Sequence, residues 1–256
     1  MKLKTLSAVL GAALFTAAFS ATTLASDHAE HGHDVHWGYA GHEGPEYWGD
    51  LKADFATCKT GQKQSPVNLS NMQQADLEPI KFHYQASNMG IINNGHTIQA
   101  NFDKGSYIEV DGIRFYLLQV HFHTPSENHI QGHSYPMEAH FVHKSADGQL
   151  AVVAVMIREG DKDNFIQKIW NHMPEHAGPA HAVEGVKFNA MEFLPASKGY
   201  YKFSGSLTTP PCTEGVRWLV MKNAAYASHD QVAQFTKVIG HNNRPVQPLH
   251  GRTIQQ

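Results

Sequence analysis

The stretch Phe115-Tyr116-Leu117-Leu118-Gln119-Val120-His121-Phe122-His123 constrains this chain more than any other. Its far end alternates strictly, as a β-strand does, with Gln119, His121 and His123 on one face and Val120 and Phe122 on the other. Two imidazoles two residues apart on a strand stand side by side. A second run, Glu138-Ala139-His140-Phe141-Val142, puts Glu138, His140 and Val142 on one face. If the two strands lie close in one sheet, three imidazoles converge and leave a fourth tetrahedral position open. That is the ligand pattern of a catalytic zinc; structural zinc is usually closed by four protein ligands. With 19 histidines in the chain, an H-x-H alone carries little weight. Gln119 and Glu138 strengthen it, because each precedes a histidine by two residues and can orient its outer ring nitrogen. A glutamate facing inward on an apolar strand is also costly unless an N–H or a cation meets it.

Residues 1–25 carry Lys2 and Lys4, an apolar run from Leu6 to Phe19, and small residues up to Ala25. This is the pattern of a secretory signal peptide, and its apolar core is too short to span a bilayer. Removing it takes away two lysines and no acid, moving the formal charge from −3 to −5. A mildly acidic chain without clustered Lys or Arg gives no support for nucleic-acid binding, and no other segment is a membrane span. The expected location is periplasmic or secreted. Residues 26–35, continuing to His36, form a polar, His-rich tract with no hydrophobic period, read either as a weak metal-binding leader or as a solvated one.

Two cysteines, Cys58 and Cys212, are present. In an exported chain an even pair reads as a disulfide, against the alternative of two buried thiols. Closing so long a loop contributes roughly 4–5 kcal/mol in the chain-entropy picture.

The rest, residues 36–256, is sized for one domain with a full core. Asn93-Asn94-Gly95 is a turn signal, followed by an alternating run over 97–102. Residues 106–110, the pair Asp111-Gly112 and residues 113–123 read as a hairpin. The continuous apolar run from Leu150 to Ile157 suits a central strand, and 187–188, 200–204 and 216–221 add further candidates. Helices are expected over about 163–173, with Phe165, Ile166, Ile169, Trp170 and Met173 on one stripe, and from Ser228, whose spacing to Gln231 is a capping box. The expected fold class is predominantly β (α+β): a single domain with a large, twisted, mainly antiparallel central sheet and short peripheral helices.

Seven motifs lie in the order found in the α-class carbonic anhydrases: Gln64-Ser65-Pro66-Val67-Asn68-Leu69, Asn93-Asn94-Gly95-His96, Val120-His121-Phe122-His123, Ser126-Glu127, Glu138-Ala139-His140, Ser206-Leu207-Thr208-Thr209-Pro210-Pro211-Cys212 and Asn243-Arg244-Pro245-Val246-Gln247-Pro248-Leu249. The chain resembles a bacterial, exported member of that family from about His36 to Arg252.

The resemblance implies a Zn²⁺ cofactor held by His121, His123 and His140. Gln119, Glu138 and the backbone carbonyl of Asn242 would orient these rings. Water on such a zinc ionises near neutral pH, so the implied activity is reversible hydration of carbon dioxide to bicarbonate and a proton by the resulting hydroxide. Thr208 would accept from that hydroxide while donating to Glu127. Val142, Val152, Leu207, Thr209, Val216 and Trp218 match the substrate pocket, with Val142 supported also by its strand parity. His96 matches the proton shuttle, a task suited to imidazole, with Tyr39 and Asn94 ordering the water between. Ser65-Pro66 and Pro210-Pro211 resemble cis prolyl positions. Bacterial relatives are often dimers, so a homodimer is the expected assembly.

His83, His129, His133, His143, His172, His176 and His181 have no assigned task. His143 has the opposite parity from His140 and should not share the metal, while His129 and His133 fall in what reads as a loop. Two other classes compete with the enzyme: a periplasmic metal-binding or zinc-buffering protein working through the His-rich leader, and a catalytically silent binding module on the same fold.

Overall fold

The computed structural model describes residues 36–256. The expected signal peptide (1–25) and His-rich leader (26–35) lie outside the described residues. In chain order the helices are α1 (Trp48–Leu51), α2 (Thr57–Thr60), α3 (Asn164–Trp170) and α4 (His229–Ile239). The strands are β1 (Asn68–Leu69), β2 (Lys81–His83), β3 (Ser87–Asn93), β4 (Ile98–Phe102), β5 (Tyr107–Val110), β6 (Ile113–His123), β7 (His129–Ile130), β8 (Met137–Ser145), β9 (Leu150–Glu159), β10 (His181–Phe188), β11 (Tyr200–Ser206), β12 (Glu214–Met221) and β13 (Ala225–Ala227).

Eleven strands form one sheet in the order β10-β3-β4-β6-β8-β9-β12-β11, with β5 and then β2 added beside β6 and β13 beside β9. All pairings in it are antiparallel except those of β9 with β12 and β13. The mainly antiparallel sheet is as expected. His129 sits on β7, paired in parallel with β1, rather than in a loop.

Both faces of the sheet centre are covered, which explains the unbroken apolar run of β9. Val153, Val155 and Ile157 of β9 join a large core with Phe115, Phe122, Phe141 and the inner faces of α3 and α4. Val152, Ala154 and Met156 face a second cluster with Val216, Trp218 and Val220 of β12. Helix α4 begins with the expected capping box, Ser228 Oγ accepting from Gln231 N and Gln231 Oε1 from Ser228 N. Helix α3 stops at Trp170, short of the expected Met173. There the chain tightens into i→i+3 turns, His172 N to Ile169 O and Met173 N to Trp170 O, ahead of Pro174. Trp170 packs edge-on against Phe122, its ring centroid 4.8 Å away, so the helices brace the back of the strand whose front carries the histidines.

Strand β6 holds a bulge. Leu117 pairs with His143, yet Gln119 pairs with Val142, which leaves Leu118 without an opposite number. The bulge reverses the facing of the strand. Phe115 and Leu117 turn to the core before it, and Val120 and Phe122 after it. Tyr116 and Leu118 face outward, 43% and 42% exposed.

The disulfide Cys58–Cys212 forms. With buried Trp48 it makes a third small core, against which Trp37, Tyr39, Leu51 and Phe55 pack. Three prolyl bonds are cis: Ser65-Pro66 and Pro210-Pro211, as expected, and Thr124-Pro125.

His143 faces the core, as its parity requires, and its Nε2 lies 2.7 Å from the Tyr84 hydroxyl. Burial pushes its pKa down from 6.5 to about 3. The folded protein therefore holds it neutral where the unfolded chain takes up a proton. The stabilisation is complete above about pH 6.5 and lost progressively as pH falls towards about 3, to a total of about 4–5 kcal/mol. In His143→Gln, which keeps an acceptor for Tyr84 but cannot charge, urea stability should fall less between pH 7 and 4 than in the parent. Parallel losses in the two proteins would contradict this account.

Candidate metal centre

His121 of β6 and His140 of β8 are directly paired residues in the sheet, and His123 lies opposite Glu138. The antiparallel register therefore brings all three imidazoles to one spot on one face. Their ring centroids are 5.0, 5.2 and 4.6 Å apart. One ring nitrogen from each lies within 4.8 Å of the others.

Two of the outer nitrogens are hydrogen-bonded and the third lies beside a carboxylate. His121 Nδ1 lies 2.8 Å from Gln119 Oε1, and His123 Nδ1 lies 2.7 Å from the Asn242 carbonyl oxygen. Both oxygens only accept, so these nitrogens carry the protons and each Nε2 keeps a free lone pair. His140 is turned the other way: its Nε2 lies 2.9 Å from Glu138 Oε1 without a hydrogen bond, which leaves Nδ1 for the cluster. Burial holds all three below the ordinary imidazole pKa, so they are neutral, as metal ligands must be. His123 Nε2 is buried without a hydrogen-bond partner. A buried orphan lone pair is expensive, and a cation at the centre of the three rings satisfies it. The donor set fits zinc: three neutral nitrogens, with no fourth protein ligand among the described residues.

The supports come from distant parts of the chain. Asn242 follows α4 after Gly240, whose φ of 77° only glycine adopts easily. Its side chain donates to the carbonyls of Phe122 and His96 and accepts from Thr124 N, locking the backbone on both sides of His123. Glu138 is fully buried, yet Oε2 accepts from the backbone N–H of Glu127 and Asn128, and Oε1 from Asn128 Nδ2. Glu127 Oε1 accepts from Arg244 N at 2.9 Å, while Oε2 lies 3.5 Å from His123 Nε2. Burial raises Glu127 well above the ordinary carboxyl pKa; the Arg244 N–H and the nearby Thr208 hydroxyl pull it back. Arg244 is itself buried, its guanidinium donating to Gln64 Oε1 and to the carbonyls of Ser65 and Cys58.

An apolar row runs beside the histidine row, two residues along each strand. Val142 pairs with Val152, and Val152 with Trp218. Trp218 Nε1 donates to Ser206 O at the start of the segment holding Leu207, Thr208 and Thr209. Val216 joins the same cluster, and Leu207 packs against it. Gly205 is required here, since a Cβ would lie 2.1 Å from Ser65 Oγ and 2.9 Å from Trp218 Cδ1. Thr208 is buried and Thr209 half-buried.

His96 is half-buried and stacked on Trp37, ring centroids 3.7 Å apart and planes at 6°. Tyr39 packs edge-on against Trp37 and Trp48, and its pKa is raised well above the ordinary value by burial and then by Glu127. Asn94 is exposed, and its Oδ1 caps the turn by accepting from His96 N and Thr97 N, leaving only Nδ2 for solvent. Three residues of the site have no role that sequence patterns assign: Gln99, paired with His121 on β4, and the buried supports Asn128 and Arg244. Parity on β4 offers a signal for Gln99; nothing local marks the other two.

A single sheet carrying three converging, buried imidazoles that could hold one metal ion, beside an apolar wall, is the architecture of a metal-dependent enzyme class. The eukaryotic-type carbonic anhydrase family model matches residues 43–256. The chain is 46% identical over 244 residues to a carbonic anhydrase of Pectobacterium atrosepticum, covering 95% of this chain and 96% of that protein. Among solved structures, the α-carbonic anhydrase of Thermovibrio ammonificans in complex with sulfanilamide superposes with a TM-score of 0.84 at 44% identity, covering 87% of this chain and 99% of that one. A hyperthermostable carbonic anhydrase from a hydrothermal vent chimney gives 0.84 at 52% identity, covering 86% and 99%. The chain belongs to the eukaryotic-type carbonic anhydrase family and is an enzyme of it.

Proposed function

We propose that this chain catalyses the reversible hydration of carbon dioxide to bicarbonate and a proton, with zinc held by His121, His123 and His140. The observation that carries this reading is the convergence of three imidazoles, two of whose outer nitrogens are hydrogen-bonded to Gln119 and the Asn242 carbonyl while that of His140 lies 2.9 Å from Glu138. When bound, zinc supplies a Lewis-acidic site at which the pKa of water drops to about 7.

The chain's own residues do the remaining work. As a carboxylate, Glu127 only accepts, so the Thr208 hydroxyl must point its proton there and offer lone pairs towards the centre. The positive charge that a metal brings beside His123 favours that ionised form despite the burial of Glu127. Val142, Val152, Leu207, Val216 and Trp218 offer an uncharged wall to an uncharged substrate, with Thr209 at its edge. His96 takes up the released proton, with Tyr39 and Asn94 ordering the approach. Burial and then His36 lower the pKa of His96, which speeds its release of that proton.

Export through residues 1–25 accords with the Cys58–Cys212 disulfide, a bond that persists in oxidising compartments. Among the described residues no helix is long and apolar enough to cross a membrane.

Stopped-flow hydration of carbon dioxide on the purified protein, before and after chelation of zinc, tests the proposal: activity should vanish with the metal and return with it. Metal-independent hydration would overturn it. His96→Ala should lower kcat by about tenfold in weak buffer and recover with added imidazole; equal rates for both proteins in weak buffer would remove His96 from the path.

A further inference from the structure

We propose that Asn93 is a positioning residue for proton release: it anchors the turn that carries His96 to residues 174–178 and so fixes the imidazole against Trp37. This rests on the proposed hydration activity.

Asn93 ends β3 and is only 3% exposed, a costly place for an amide unless it is hydrogen-bonded. Its side chain is paired at both ends. Oδ1 accepts from Gly95 N at 3.0 Å, and Nδ2 donates to Pro174 O at 3.1 Å. The Asn93 carbonyl adds a third bond, accepting from Gly178 N at 3.0 Å. No step of the proposed reaction uses this residue.

The turn that Asn93 holds is closed within itself. Asn94 N donates to Thr97 O, and Asn94 Oδ1 accepts from His96 N and Thr97 N. Gly95, at a φ of 85°, completes it. These bonds shape the turn without tying it to the body of the protein. After His96 the ties run to the metal strand: Thr97 Oγ1 donates to Phe122 O, and Asn242 Nδ2 donates to His96 O. Before His96 the tie is Asn93.

Residues 174–178 make a firm anchor because they follow α3, whose Phe165, Ile166, Ile169 and Trp170 are seated in the core. They lie against the turn, since a Cβ on Gly95 would come within 3.6 Å of Ala177 Cβ. Contact therefore passes from a core helix through Pro174, Asn93 and Gly95 to His96. The His96 ring stacks on Trp37 with planes at 6°. Stacked faces slide readily, so the stack places the ring only as well as the backbone beneath it is placed. Proton transfer needs hydrogen-bond reach, directly or through one water, and a small drift of the ring breaks that reach.

The experiment uses the purified full-length zinc enzyme and the variants Asn93→Ala, Asn93→Ser, His96→Ala and Asn93→Ala/His96→Ala, in weak buffer and in excess imidazole. Asn93→Ala should lower kcat in weak buffer by about fivefold, keep its zinc and its kcat/KM, and recover with imidazole. Serine can still accept from Gly95 N but is too short to reach Pro174 O, so Asn93→Ser should lose about twofold in the same way. It decides the matter if Asn93→Ala does not fold. The double variant should match His96→Ala. An unchanged kcat, a matching fall in kcat/KM, a loss that imidazole cannot restore, or a further loss in the His96→Ala background would each overturn the proposal. NMR gives a readout independent of turnover. The ring-current displacement of the His96 imidazole signals by Trp37 should shrink in the Asn93 variants, and unmoved signals would also sink the proposal. A parent that does not hydrate carbon dioxide, with those signals still moving when Asn93 is replaced, would count against the hydration activity and not against the anchoring of the turn.

Discussion

His123→Ala abolishes zinc retention and hydration together, with the rate falling by about four orders of magnitude or more. His123 is the most constrained of the three ligands. Its Nδ1 is held by a carbonyl 119 residues away, and its buried Nε2 has no hydrogen-bond partner. Alanine removes one of three nitrogens, and two imidazoles on a strand pair make a weak site. Without the metal the pKa of water rises far above neutrality, and the described residues of the site offer no strong base to replace it. Metal content by mass spectrometry and stopped-flow rates on the same sample decide the matter. Stoichiometric zinc in the variant, or parent-like hydration without zinc, would refute the assignment of the centre.

Thr208→Ala and Glu127→Gln each lower kcat/KM for hydration by about a hundredfold while zinc content stays whole. The two act as one unit. In the proposed mechanism Thr208 orients only because Glu127 forces the direction of its proton, and Glu127 is held by Arg244 N on one oxygen. Glutamine keeps the shape but brings an N–H₂ that donates, so Thr208 no longer needs to point its proton that way. The double variant should therefore be scarcely slower than either single one. Multiplying losses would mean that the residues act separately, and zinc loss in Thr208→Ala would make its role structural.

Much of the metal centre is legible in the amino-acid sequence alone. The alternation over 119–123 and 138–142 places His121, His123, Glu138, His140 and Val142 on their faces, since strand parity is a local property of the backbone. The same parity excludes His143 from the metal and sends it to Tyr84. The capping box at Ser228 and the apolar run of β9 are local signals too, and both elements form as expected.

The supports are not legible in this way. Asn128 satisfies Glu138, and Arg244 spans Gln64, Ser65 and Cys58, yet neither residue carries a pattern that announces a partner. Asn94 is expected to order water, and only the fold shows that the turn uses its oxygen and leaves Nδ2 for that task.

By itself the amino-acid order determined which side chains share a face, because alternation and turn chemistry act over a few residues. Only the tertiary structure decided that β6 pairs with β8 so that His121 meets His140, and that a bulge at Leu118 lets Phe115 and Leu117 stay in the core while His121 and His123 share the opposite face with His140. Register and bulges are set by packing against distant strands and helices, since a shift of one residue would exchange core for cavity along the whole strand.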